Sequence, residues 1–249
     1  MRIRQLVAAA IAMSAGALPM AAQTHKAPHW KYEGKEGPAY WGSLDASYSA
    51  CSAGKEQSPI DLGGPVAAAR GALDERFTGS TFVLFHNGHT VQAALDQAST
   101  LTLEGIPFKS LQFHFHHPSE HTVKGKAFPA ELHLVHKGAK GTLAVLGIFF
   151  SESTADNPAL EPLLARLPVV AGDSVKFDSP ISIATLLGAK EGNENFFLYH
   201  GSLTTPPCTE GVQWVVRERP VQASRRQLQR LVKVLGENAR PVQPLNARH

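Results

Sequence analysis

The sequence predicts a mainly β, single-domain protein whose body is built from strands, with a few helices at the periphery. Three observations lead there. Apolar and polar residues alternate over short segments separated by Gly, Asn and Pro, the period of strands with one buried face. Leu143–Phe150 is apolar at nearly every position and reads as a central strand covered on both sides. Only Pro158–Leu167 and Ser224–Leu235 carry helical spacing.

Taken in order, Thr81–Phe85, Thr90–Leu95 and Thr100–Glu104 are short strands, the first two joined through Asn87-Gly88, a turn signal. Leu111–His117 and Ala130–His136 alternate, with Phe or Leu opposite a histidine face. Phe196–His200 and Val212–Val216 are further strands. In the second helix Leu228, Leu231, Val232 and Leu235 form one stripe, and Ser224 with Gln227 fits a capping box.

The histidine face carries the chemistry. Side chains alternate across a strand, so Gln112, His114 and His116 share one face, and so do Glu131 and His133. Three imidazoles from neighbouring strands with a fourth position open describe a catalytic zinc centre; cobalt or copper accepts the same ligands. Gln112 and Glu131 stand on the correct faces to hold the second ring nitrogen of a ligand. His117 and His136 have the opposite parity and are excluded from the metal, and His86 reads as an ordinary turn residue.

Composition narrows the remaining classes. The 24 basic and 21 acidic residues leave a formal charge of +3, and no Lys/Arg cluster supports nucleic-acid binding. Residues 1–22 read as a secretory signal peptide: Arg2 and Arg4, an apolar run from Leu6 to Leu18, then Met20-Ala21-Ala22. That run is short for a membrane span, so the expected product is one soluble domain, 23–249, in the periplasm or secreted. Cys51 and Cys208 are the two cysteines and are expected to pair in an exported protein. A loop of that length stabilises by about 4–5 kcal/mol in the chain-entropy account.

The motifs Gln57-Ser58-Pro59-Ile60, Asn87-Gly88-His89, Gln112–His116, Ser119–Val123, Ala130–His136, Gly201–Pro207 and Arg240-Pro241 occur in order along the chain. Together they resemble an alpha-class carbonic anhydrase of the exported bacterial kind, from about His29 to the C-terminus. The resemblance implies a large, twisted, mostly antiparallel sheet with zinc at the floor of a conical cleft. It also implies hydration of carbon dioxide to bicarbonate by zinc-bound hydroxide.

Roles follow where residues match. His114, His116 and His133 are implied zinc ligands, backed by Gln112, Glu131 and the Asn238 carbonyl. Thr204 is implied to orient the hydroxide while donating to Glu120, with Thr205 beside it. Val135, Val145, Leu203, Val212 and Trp214 resemble the apolar wall where carbon dioxide rests. His89 resembles the proton shuttle, with Tyr32, Asn87 and Gln92 holding the intervening waters, and His121 is expected to be structural beneath the site. His117-Pro118 departs from the Trp-Gly of many animal relatives. Carbon dioxide and bicarbonate are the only partners implied; monomer and homodimer both stay open. Rival readings are a zinc-dependent esterase and a catalytically silent binding module of the same fold.

Overall fold

The computed structural model describes residues 28–71, 74–188 and 194–248; the expected signal peptide lies outside them. Fourteen strands appear among the described residues. They are β1 (Asp61–Leu62), β2 (Ala69–Gly71), β3 (Asp74–Arg76), β4 (Gly79–His86), β5 (Val91–Leu95), β6 (Thr100–Leu103) and β7 (Ile106–His116). After these come β8 (Thr122–Val123), β9 (Lys126–Ala127), β10 (Ala130–Gly138), β11 (Leu143–Ser153), β12 (Ser174–Ser182), β13 (Glu194–Ser202) and β14 (Glu210–Ser224). The α-helices are α1 (Trp41–Leu44), α2 (Ala50–Ala53), α3 (Glu161–Leu164), α4 (Ile183–Leu186) and α5 (Arg225–Leu235).

Nine strands run across one large sheet in the order β12-β4-β5-β7-β10-β11-β14-β13-β2, with β3 and β6 branching from β7. Every pairing along it is antiparallel except β11 with β14, so the sheet is mixed but mostly antiparallel. Alternation divides its residues between two apolar layers. Phe113, Phe115, Leu132, Leu134, Leu146 and Ile148 pack into one. Val135, Val145, Phe149, Val212, Trp214 and Val216 pack into the other. β11 feeds both layers and is buried from Ala144 to Phe150, the reason it reads as continuously apolar.

The Ser224 capping box forms as expected, with Ser224 Oγ and Gln227 Oε1 each accepting the other's backbone N–H. The other expected helix shrinks to the single turn α3. Pro162 sits in its first turn, where the missing N–H is harmless; an earlier start would drive the ring against the preceding turn. His86 is not a turn residue: it closes β4, is buried, and its Nδ1 accepts from the Gly88 N–H at 3.1 Å. β12 is an added strand. It is an edge strand, mostly exposed and containing Pro180, so it lacks the alternation that marks a half-buried one.

Cys51 and Cys208 form a disulfide across 157 positions of sequence, packed with Trp41 and Tyr48. It ties α2 to the loop after β13. Replacing both cysteines by serine should lower the unfolding free energy by about 2–5 kcal/mol; an unchanged urea midpoint would contradict this.

His136 lies in β10 opposite Ala144 and is buried. Burial pushes its pKa down to about 4. Its stabilising contribution is therefore complete above the ordinary histidine value and lost as pH falls from 6.5 towards 4. That difference is worth about 3 kcal/mol. In His136→Gln, unfolding free energy measured from pH 7 to pH 4 should fall by about that much less than in the parent; parallel curves would refute it.

Candidate metal centre and active-site cleft

Cross-strand register assembles the site. In the β7–β10 pair, His133 stands opposite His114, Glu131 opposite His116 and Val135 opposite Gln112. The rows continue sideways, Gln92 lying beside His114 and Gly147 beside His133. Gly147 leaves necessary room: a Cβ there would meet Glu131 Oε1 at 2.9 Å and Val216 at 3.2 Å.

The rings of His114, His116 and His133 have centroids 4.5–5.3 Å apart, and one nitrogen from each lies within 4.8 Å of the others. Each ring is held from behind. His114 Nδ1–H donates to Gln112 Oε1 at 2.9 Å, His116 Nδ1–H to the Asn238 carbonyl at 2.8 Å, and His133 Nε2–H to Glu131 Oε1 at 2.9 Å. These acceptors fix the tautomers. The lone pairs of His114 Nε2, His116 Nε2 and His133 Nδ1 are then the ones left free. His116 Nε2 is buried with no hydrogen-bond partner.

Electrostatics separates the three. Burial, then the neighbouring histidines, pushes His114 well below the ordinary value. Burial also lowers His116, against the pull of Glu120. For His133 burial is outweighed by Glu131, through charge and hydrogen bond, and by Glu120, and its pKa is raised. Burial works against ionisation of Glu131, but His121 and His133 hold its pKa well below the carboxylate range.

A cleft of about 250 Å³ opens over the triad. Val135, Val145, Leu203, Thr204, Thr205 and Trp214 line it, as do Tyr32, Asn87, His89, Gln92 and Gln112. Val212 belongs to the apolar cluster behind this lining instead. A larger cavity of about 340 Å³ shares Trp214 but carries none of the three histidines. Glu120 is buried; its Oε1 accepts from the Arg240 N–H at 2.9 Å, while Oε2 has no hydrogen-bond partner. That oxygen lies 3.5 Å from His116 Nε2 and 3.8 Å from His133 Nδ1. The expected bond from Thr204 to Glu120 is not formed, although Thr204 is buried on the cleft wall.

His89 is half-buried and stacked on Trp30, ring centroids 3.8 Å apart and planes 11° from parallel. Burial, then His29 and His86, lowers its pKa. Trp30 was not expected in the cleft; a lone tryptophan before the first strand gives no periodic signal. His121 is buried, bonded to Glu131 and Tyr199. His117 Nδ1 donates to the Pro129 carbonyl at 2.7 Å and stays out of the triad.

Comparison with known proteins agrees with this geometry. A family model described as eukaryotic-type carbonic anhydrase matches residues 36–249. A carbonic anhydrase of Klebsiella pneumoniae is 42% identical over 235 residues, spanning 93% of this chain and 94% of that one. Among solved structures, the alpha-carbonic anhydrase of Thermovibrio ammonificans in complex with sulfanilamide superposes with a TM-score of 0.81 at 41% identity, covering 88% and 97% of the two chains. Dioscorin complexed with ascorbate superposes at 0.78 with 29% identity, over 89% and 96%. With a family model over most of its length and bacterial relatives 42% and 41% identical, the chain belongs to the alpha, eukaryotic-type carbonic anhydrases, enzymes that hydrate carbon dioxide.

Proposed function

We propose that this chain catalyses the reversible hydration of carbon dioxide to bicarbonate and a proton, using a zinc ion held by His114, His116 and His133. One observation carries the reading: three imidazole lone pairs converge under a cleft while every opposite ring nitrogen is already committed. The partnerless, buried Nε2 of His116 suits a metal ligand, and three neutral nitrogen donors leave a fourth position open. When bound, zinc supplies the Lewis acidity that lets a water molecule lose its proton near pH 7.

The chain's own residues do the rest. Val135, Val145, Leu203 and Trp214 offer an apolar wall beside the triad, suited to an uncharged, linear molecule. Glu120 Oε2 is an acceptor without a donor; we assign the Thr204 hydroxyl to it, which leaves only the lone pairs of Thr204 for the reacting oxygen. His89 takes the released proton at the cleft wall, with Tyr32, Asn87 and Gln92 along the way. The disulfide supports an exported protein, periplasmic or secreted, and no described helix is long and apolar enough to cross a membrane. Dioscorin shows that this fold also carries another name, so a silent binding module is the alternative reading. Weak esterase activity would accompany the enzyme reading as a side reaction. The intact triad favours the enzyme.

His114→Asn and His133→Asn should each lose metal and at least about 100-fold of hydration activity, read by metal analysis and stopped-flow assay of zinc-loaded protein. Full activity without metal would end the proposal.

His89→Ala should slow turnover in weak buffer by up to about 100-fold and be rescued by added imidazole. A lowered pKa keeps the ring in its proton-accepting form to more acid pH. The His89-dependent part of turnover, parent minus unrescued variant, should therefore have its acid midpoint below 6.5. A midpoint above that value, or no rescue, removes His89 from the pathway.

A further inference from the structure

A second cavity lies against the apolar layer that faces away from the triad, between the end of α3 and the last turns of α5. Its volume is about 310 Å³, at the small end of the range for ligand pockets. Leu164, Leu167, Val169 and Val234 give it apolar walls, and Arg230 and Lys233 stand among them. Sequence spacing explains the mixture. Leu228 and Leu231 turn α5 onto the core, while Arg230, Lys233 and Val234 follow one another at steps of three and four and share a face beside it.

Charge sets this cavity apart. Glu56 and Glu104 stand with Arg248 in the 340 Å³ cavity, Glu194 with Arg217 beside α4, and Glu152 and Asp156 with Arg225 at the start of α5. Here both charged lining residues are cations. The Lys233 ammonium pairs with no carboxylate among the described residues. Arg230 Nη1 donates to Glu161 Oε1 at 2.6 Å, and Glu161 Oε2 accepts from Gln227 Nε2 at 3.0 Å, so that carboxylate is already shared and lies outside the lining. The remaining N–H groups of Arg230 make no bond among the described residues. On the apolar side, Val169 is 61% exposed, left in water by the fold itself.

These features select one kind of occupant. A bare inorganic anion would answer the cations and leave Val169 wet. A neutral chain would cover Val169 and leave the cations without an anion. A chain that ends in an anion satisfies both, through apolar burial at one end and charge-assisted hydrogen bonds at the other. We propose that this cavity binds a medium-chain fatty-acid carboxylate, its alkyl chain against Leu164, Leu167, Val169 and Val234 and its head between Arg230 and Lys233. The site is independent of the metal: the cleft wall belongs to the other apolar layer, so an occupant here leaves the triad untouched.

Decanoate below its micelle concentration is the probe, titrated into the full, zinc-loaded chain by calorimetry and followed by backbone amide shifts. A dissociation constant of about 0.1 mM or below is expected for a ligand of that size, with shifts at Val169, Lys233 and Val234. Lys233→Glu and Val169→Asp, both at exposed positions, should each weaken binding at least about tenfold. Lys126→Glu, an equal charge change on exposed β9, should not. Decanol should bind at least about tenfold more weakly than decanoate. No binding by 5 mM-scale decanoate (about fiftyfold above the expected constant) overturns the proposal, as do shifts confined to the metal cleft. Equal affinity for decanol or acetate, or undiminished affinity in Lys233→Glu, overturns it too. Attachment to anionic phospholipid vesicles without binding of free decanoate assigns the patch to a membrane surface and equally removes the site.

Discussion

Residue-for-residue pairing of β7 with β10 sets the geometry on which all the chemistry rests. His114 faces His133, and His116 faces Glu131; because the side-chain period of a strand is two, a slip of one residue would send His133 and Glu131 into the layer holding Leu132 and Leu134. That slip is opposed from both sides. It would bury two polar groups among Phe and Leu and expose leucines to the cleft, a cost of about 1–3 kcal/mol for each unsatisfied group. The apolar pattern of the opposite face thus protects the register that makes the site.

Register alone leaves imidazoles free to rotate. Their orientation comes from three acceptors of different kinds: a side-chain amide, a backbone carbonyl and a carboxylate. Two sit on the histidines' own strands, two residues away, and repeat the strand period. The third, the Asn238 carbonyl, arrives from beyond α5; its side-chain amide also donates to the carbonyls of His89 and Phe115, both at 3.0 Å. The segment after α5 is therefore pinned to the His89 side of the cleft and to β7 at once.

What was legible in the sequence follows from this distinction. Gln112, His114, His116, Glu131 and His133 are visible because their spacing is local and periodic. β11 is visible because burial on both faces leaves a continuous apolar run. The buried bonds that continue from His121 away from Glu131 are not. Tyr199, Ser58 and Ser202 lie 78, 141 and 144 positions from their respective bonding partners, and no period links them. Asn238 and Thr204 emerged only through family resemblance, and the Thr204 bond to Glu120 is absent here. α3 was drawn too long and β12 was not anticipated for a local reason: prolines at 162 and 180 alter where an element begins or how fully it pairs.

Arg240 shows why those distant bonds matter for a site of charged groups. Its guanidinium is buried, donating at 2.9 Å to Gln57 Oε1, at 2.7 Å to the Ser58 carbonyl and at 2.9 Å to the Cys51 carbonyl, while its own N–H holds Glu120. Burial lowers its pKa to about 10, still protonated at neutral pH. Through its guanidinium and its backbone N–H, this one residue joins Cys51 of the disulfide, Ser58 and a cleft carboxylate. Around the triad, two buried carboxylates, Glu120 and Glu131, face three imidazoles. The raised pKa of His133 records that imbalance, since the ring is drawn toward accepting a proton by Glu131 and Glu120. Under the proposed function, a divalent cation held by the same lone pair would answer that pull without disturbing any hydrogen bond behind the ring.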